Sequence, residues 1–464
     1  MKVLLTDTMR LPFRRLFLRQ FNLLVISLLV LLCCAQTKLS ALESIPSQAS
    51  YPQPADLSQL HFYLITVDVG ENVWDNFGHT ALRVFDENNG SDTVFNWGGF
   101  DTSGGVVAFS YNFFKGIMNY TLFTSTPTRE FDSFRNQQRT VWQDKLNLSN
   151  QQKEVLYRRL MWNLEPDNVI YAYHHFFDNC TTRIRDYLDE ALSGKLARQF
   201  TGVTDHSFRD LVEAHYASVA LIGFSLDVLV NSNVDRPVSE WEQMFLPLSL
   251  RSQLAQIQSD VVINGERLAL LSDSQVIMEF APPMVETDVY RVASLVLLAP
   301  ILLLSLLLKK IPMSYFATHS RVSLKAPGFS FMMLGLLGLL TATFSGIYGT
   351  LMLGSWFFSE HLDLHHNINL LLFWPTDLLG IIVSIRWLVL RSPWPMTNNS
   401  TPFINYYLLA HVIGMLGYGF IALMGLSNQS IDRIALYVLP GFFCFTLFVW
   451  LVGFVQAKPR NMYF

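Results

Sequence analysis

Five apolar stretches, each long enough to cross a bilayer, crowd into the C-terminal part of this chain. They run over about residues 289–308, 329–356, 368–390, 404–425 and 434–455, and a helix needs roughly 20 apolar residues to span the hydrocarbon core. Inside that layer every backbone polar group must be satisfied within the segment, so these stretches are expected as helices. Positive residues fall at alternate ends of them: Lys309, Lys310, Arg321 and Lys325, then Arg391, then Lys458 and Arg460. By the positive-inside rule these three groups are cytoplasmic. The loop carrying Glu360, His361, Asp363, His365 and His366 then lies outside, as does the one around Asp432.

The N-terminus predicts the same orientation independently. Arg10, Arg14, Arg15 and Arg19 precede an apolar run over residues 21–34, the pattern of a signal peptide or a short signal anchor. The chain therefore divides into a targeting segment (1–40), an exported domain (41–288) and a membrane domain of about five helices (289–464). Composition fits this partition. The 464 residues are 51% hydrophobic and only 15% charged, against about 25% charged in an average globular protein. A net charge of −4 supplies no general attraction to phosphate, so no nucleic-acid partner is expected.

The exported domain is long enough for one good-sized core. Residues 62–67 read as a strand, being β-branched and aromatic. A turn-rich loop leads to a second strand over 77–85. Turn residues Asn88, Asn89 and Gly90 then make a hairpin with 93–97. Residues 128–165 read as mainly helical, with Ser149 as an N-cap. Residues 176–188 carry the most chemistry. Asp178 or Asn179 can cap a helix, Ile184, Leu188 and Leu192 form one apolar face, and Gly194 can end it. Cys180 then sits in the first turn, where the helix dipole favours a thiolate.

The cysteine count sharpens this. Of four cysteines, Cys33 and Cys34 lie in the targeting segment and Cys444 in the last span. Cys180 is left alone in the exported domain, either as a nucleophile or as a buried small hydrophobe. A nucleophile needs a base, and His79, His174 and His175 are the candidates. A metal site from His174, His175, Asp178 and Cys180 lacks the usual zinc spacings, so no metal or other cofactor is expected. No P-loop, GxGxxG or GxSxG occurs.

Several stretches in order resemble one family: Phe-Gly-His-Thr-Ala-Leu-Arg-Val at 77–84, Val-Phe-Asn-Trp-Gly-Gly-Phe-Asp at 94–101, Phe-Phe-Lys-Gly at 113–116, Tyr120, and residues 171–186 with the core Asp-Asn-Cys-Thr-Thr-Arg-Ile-Arg-Asp. The exported domain, best over 62–190, is similar to the periplasmic N-terminal domain of the Lnb-type lipoprotein N-acyltransferases. Residues 366–371 and Pro375 resemble that family's membrane half. The resemblance implies an α+β papain-like fold, circularly permuted, followed by an all-α transmembrane bundle. It implies Cys180 as nucleophile, His79 as base and Asn96 as the residue orienting the imidazole. Lys115, Asn179, Arg183 and His366 are the substrate-binding candidates. Asn96 meets an objection from register: a hairpin centred near Asn89–Gly90 pairs it with Arg83, leaving Asp101 beside His79 as the competing third residue.

The resemblance further implies a membrane-bound acyltransferase, in the bacterial cytoplasmic membrane with its N-terminal domain in the periplasm. An acyl chain would pass from a phospholipid through a Cys180 thioester to the N-terminal amine of a lipoprotein. The alternatives are a periplasmic thiol hydrolase acting on cell-wall peptides and a non-enzymatic envelope factor. Phe113, Phe114, Tyr120, Phe176 and Phe177 read mainly as core, with an acyl groove as the alternative. The external histidine loop is either part of the lipid site or a solvated interfacial loop.

Overall fold

The computed structural model describes residues 56–100, 105–116, 118–284, 328–390 and 402–457. The targeting segment, the first expected span (289–308) and Asp101 lie outside the described residues. Everything below concerns one compact unit.

The exported domain is a mixed α+β structure around a seven-stranded antiparallel sheet. Its elements are β1 (Leu60–Val67), β2 (His79–Asp86), β3 (Ser91–Gly99), α1 (Gly105–Lys115), β4 (Asn119–Ser125), α2 (Pro127–Asn136), β5 (Val141–Leu146), α3 (Asn150–Asn163), β6 (Ile170–Ala172) and α4 (Cys180–Ala191). Helices α5 (Phe208–His215) and α6 (Ala220–Leu229) follow, and the last strand of the sheet is β7 (Leu271–Met278). The strand order is β7-β5-β1-β2-β3-β4-β6, and every pairing is antiparallel.

Strand alternation sorts the core into two faces. Phe62, Leu64, Leu82, Phe95 and Trp97 pack with Leu156 and Leu160 of α3 and Ile184 and Leu188 of α4. Ile65, Val67, Ala81 and Val94 face the other way, with Phe134 of α2. The apolar face read at Ile184, Leu188 and Leu192 is buried here, and Ser149 caps α3 in a full capping box with Gln152. The helical reading of 128–165 needs correction: β5 lies inside it. Its sequence, Val-Trp-Gln-Asp-Lys-Leu, buries the polar Gln143 and Asp144 as well as its apolar residues, so simple alternation does not mark it.

Asn163, fully buried, ties three elements together. Its Oδ1 accepts from Trp97 Nε1 (2.7 Å) and Tyr187 Oη (2.7 Å), and its Nδ2 donates to the Asn168 carbonyl at 2.7 Å.

The membrane part contains α7 (Gly328–Phe358), α8 (Pro402–Leu423) and α9 (Leu439–Ala457). Met332–Phe358 and Tyr406–Leu423 are long and apolar enough to cross a bilayer. The expected span at 368–390 is not one straight helix: Leu362–Leu371 and Pro375–Val389 meet at a 66° bend, and count as a third crossing only if taken together. Pro375 has no N–H to continue a helix. The bent segment packs closely on α7, where a Cβ at Gly349 would lie 2.6 Å from the Trp374 backbone. Among the described residues there are thus two or three candidate spans, not the full expected set.

Asparagines join the two parts. Asn231 Nδ2 donates to the Leu362 (2.8 Å) and His365 (2.7 Å) carbonyls. From the other side, Asn367 and Asn369 donate to the Val228 carbonyl at 2.9 and 2.8 Å.

Replacing Asn163 with Leu leaves the Trp97 and Tyr187 donors unpaired in the core. At about 1–3 kcal/mol per buried unsatisfied donor, the loss is about 2–6 kcal/mol, measurable as a lower unfolding midpoint of the detergent-solubilised chain.

Candidate active site

Cys180 is the first residue of α4, and the residue before it builds that helix start. Asn179 Oδ1 accepts from the N–H groups of Thr181 (2.9 Å) and Thr182 (2.8 Å). Its Nδ2 donates to the carbonyls of His175 (2.8 Å) and Phe245 (3.0 Å). Asn179 is therefore fully engaged as a cap. Thr80 of β2 meets Thr181 Oγ1 at 3.0 Å, both fully buried, so the strand after His79 is pinned to the helix after Cys180.

His79 opens β2, and Gly78 delivers it there. Gly78 has φ +80°, and a Cβ on it would lie 2.7 Å from the Val67 carbonyl oxygen. That conformation is one glycine adopts without strain.

His79 Nε2 donates to Asn96 Oδ1 at 3.0 Å. The register objection to Asn96 is corrected here. In the actual hairpin Asp86 pairs with Ser91 and Ala81 with Asn96, a shift of two residues from a turn centred on Asn89–Gly90. Asn96 is then the diagonal neighbour of His79 on the same face, within side-chain reach. With Nε2 so engaged, Nδ1 is the nitrogen left for Cys180, whose thiol is within hydrogen-bonding reach of the ring.

The electrostatics follow from this packing. Burial pushes the Cys180 thiol up. The His79 charge and hydrogen bond, with those from the Thr80 N–H and Thr181, more than offset it and bring the thiol down to about 7. Burial pushes His79 down, but the adjacent Cys180 thiolate and Asn96 leave it raised. Each group favours the charged form of the other.

The remaining candidates lie elsewhere. Arg183 is paired with Asp178 (2.6 Å) and stacked over Tyr171 at 3.9 Å. Lys115 ends α1 and gives its carbonyl to the Glu360 N–H at 2.9 Å, a contact with the loop that follows α7. His366 is exposed, with its ring against Trp356 at 4.9 Å. The loop histidine whose ring packs against rings of the exported domain is His361, beside Phe113 (5.1 Å), His174 (5.8 Å) and His175 (6.2 Å). Burial and the neighbouring His174 push it down to about 4. Thr80 and Thr181 carried no sequence signal beyond the matched stretches.

An apolar cavity of about 410 Å³ lies where α1, residues 174–176, α6 and the loop at 361–364 meet. Phe113, Phe114 and Phe176 are in its wall, whereas Tyr120 belongs to the core and Phe177 is half exposed. Ring contacts Tyr120–Tyr173 (4.1 Å), Tyr173–His175 (5.1 Å) and His175–Phe113 (4.8 Å) lead to it from tyrosines close enough to feel the Cys180 charge. Among the described residues no three His, Cys, Asp or Glu side chains gather as a metal site.

Residues 47–213 match the family model described as the Lnb N-terminal periplasmic domain. This stretch of the chain is an Lnb domain. No curated protein and no solved structure matches the chain. With an Lnb periplasmic domain joined to two or three candidate spans, this is an envelope membrane protein.

If His79 sets the thiol, alkylation of Cys180 by iodoacetamide, read as the adduct on its own peptide, rises through pH about 7 rather than about 8.5 as for a free thiol. Thiolate is the reactive form, so losing the imidazolium in His79→Ala moves the midpoint upward. An unchanged midpoint would remove His79 from the pair.

Proposed function

We propose that this Lnb protein is a papain-like thiol acyltransferase of the bacterial cytoplasmic membrane, with phospholipid as donor and a lipoprotein amine as acceptor. The observation that carries the reading is the Cys180–His79–Asn96 constellation, linked through the rings of Tyr120, Tyr173 and His175 to an apolar cavity at the junction with the membrane helices. The histidine strand precedes the cysteine helix, as in a permuted papain-like fold. Asn96 holds the imidazole as the third member of a triad does.

In the first half-reaction the Cys180 thiolate attacks an ester carbonyl carbon of the phospholipid. The Thr181 and Thr182 N–H groups are taken by the Asn179 cap. The N–H of Cys180 itself is then the helix-start donor left for the oxyanion. The ester C–O bond breaks, the leaving alkoxide takes the proton from His79, and lysophospholipid departs. In the second half, the neutral amine attacks the thioester carbonyl, His79 takes its proton, and the C–S bond breaks to regenerate the thiolate. Atoms and charges balance with no cofactor.

The cavity suits the donor. Tyr111 lies in its wall and is 61% exposed, and Val107, one turn earlier on α1, is 83% exposed. An apolar chain entering from the bilayer surface meets these side chains first. A thiol peptidase would have no need of such a surface, which favours the transferase.

Cys180→Ala is expected to abolish acyl transfer from phospholipid to a diacylated lipopeptide while the protein still accumulates. Wild-type chain incubated with phospholipid alone should gain one acyl mass on the Cys180 peptide. Transfer that survives in Cys180→Ala overturns the proposal. Release of peptides from cell-wall fragments without an acyl adduct would establish the hydrolase instead.

A further inference from the structure

Helix α1 is apolar on two opposite faces. Phe109 and Phe113, one turn apart, pack against the core of the exported domain, and Phe109 meets the rings of Trp74 and Phe100 at 5.7 Å each. Val107 and Tyr111, also one turn apart, lie on the other side and are 83% and 61% exposed. A helix apolar all round is one surrounded by apolar material, so the outward face of α1 calls for an apolar medium. Lys115 continues that outward row by one more turn, its ammonium 6.0 Å from the centre of the Tyr111 ring. Among the described residues no ion pair involves Lys115.

The level of α1 relative to a bilayer follows from α7. The apolar stretch Met332–Phe358 has 27 residues, about 40 Å of helix, which is the thickness of the hydrocarbon core and both headgroup layers together. Its end at Phe358 therefore reaches the headgroup layer. Trp356, Phe357 and Phe358 are 39–54% exposed there, like the aromatic belt of a membrane protein. The C-terminal end of α1 is tied to this level. The Glu360 N–H donates to the Lys115 carbonyl at 2.9 Å, and a Cβ on Gly116 would lie 2.9 Å from the His361 backbone nitrogen.

We propose that α1 is an interfacial helix whose Val107–Tyr111–Lys115 face lies in the phospholipid layer around α7, with Val107 and Tyr111 among acyl chains and the Lys115 ammonium on a lipid phosphate. Such helices bury their apolar face about 5–10 Å into the boundary between headgroups and chains. A lysine there lays its alkyl stem along apolar surface and keeps its charge in the wet layer. Tyr111 belongs both to this face and to the wall of the cavity of about 410 Å³, so one side chain borders lipid and cavity alike. On the transferase reading, which supplies the purpose of this arrangement but not the placement, α1 sets the cavity mouth at the depth of the phospholipid ester groups.

The test uses the full chain in nanodiscs of phosphatidylethanolamine and phosphatidylglycerol, with photoreactive benzoylphenylalanine in place of Val107 or, in a second protein, of Tyr111. Irradiation should give phospholipid adducts on the α1 peptide at both positions. The same probe in place of Val262, 55% exposed on the strand Gln258–Ile263 of the exported domain, should give none. Adducts at Tyr111 should favour the anionic phosphatidylglycerol about fivefold, the scale of one basic residue near a charged lipid surface, and Lys115→Gln should erase that preference. Both results should be the same in a Cys180→Ala background. Lost acyl transfer with adducts retained would overturn the transferase reading alone. Adducts at Val107 and Tyr111 no more frequent than at Val262, or cross-links to the chain's own residues 289–308 in place of lipid, would overturn the interfacial placement. Equal yields from the two lipids in the presence of Lys115 would overturn its contact with phosphate.

Discussion

The site depends on one side-chain amide. Asn179 caps α4 with its oxygen and holds the 174–178 segment and the distant Phe245 backbone with its nitrogen. A cap of this kind contributes about 1 kcal/mol to a helix, but here its larger effect is positional. It satisfies the two N–H groups just beyond Cys180 and does not take that residue's own N–H. It also fixes where the helix begins relative to β2, through Thr181 and Thr80. Had the helix begun one residue later, Cys180 would lie outside the first turn and away from His79.

Given that start, the charge state of the pair follows from mutual support. Burial alone drives a thiol up and an imidazole down, which would leave both neutral and the sulfur a poor nucleophile. The opposite shifts occur because each partner supplies the charge the other lacks. Asn96 contributes in a different way. By taking Nε2 it determines which ring nitrogen faces the sulfur, and its own burial, at 1% exposed, shields that hydrogen bond from water.

The sequence made some of this legible. Cys180 stood out because the other cysteines fall in apolar segments, and its helix could be read from a cap residue and a four-residue apolar repeat. His79 and Asn96 were legible only through resemblance. Their proximity turns on the β2–β3 register, and a turn centred on the most obvious turn residues put Asn96 two positions away. Register is set by packing on both faces and by the loop actually formed, neither of which a short hairpin sequence states. Strand β5 was hidden for a related reason: a central strand that buries Gln143 and Asp144 shows no clean alternation. His361 was likewise indistinguishable from His365 and His366 until the loop's bend turned one of them toward Phe113.

The junction between the two parts explains why the loop matters. Apolar surfaces alone pack without strong directional preference, so a domain resting on a membrane bundle through them could slide. Here the buried amides of Asn231, Asn367 and Asn369 reach across to carbonyl groups of the opposing part, and each bond has a fixed direction. Tyr418 of α8 donates to Asn369 Oδ1 at 2.7 Å, which extends the network into the spans. Breaking any member would strand a buried polar group, so relative movement is penalised in every direction. The apolar cavity lies against this joint, with α6 on one wall and the 361–364 loop on another. Its shape is therefore set by the same bonds that orient the exported domain, and a chain entering it meets a preformed volume.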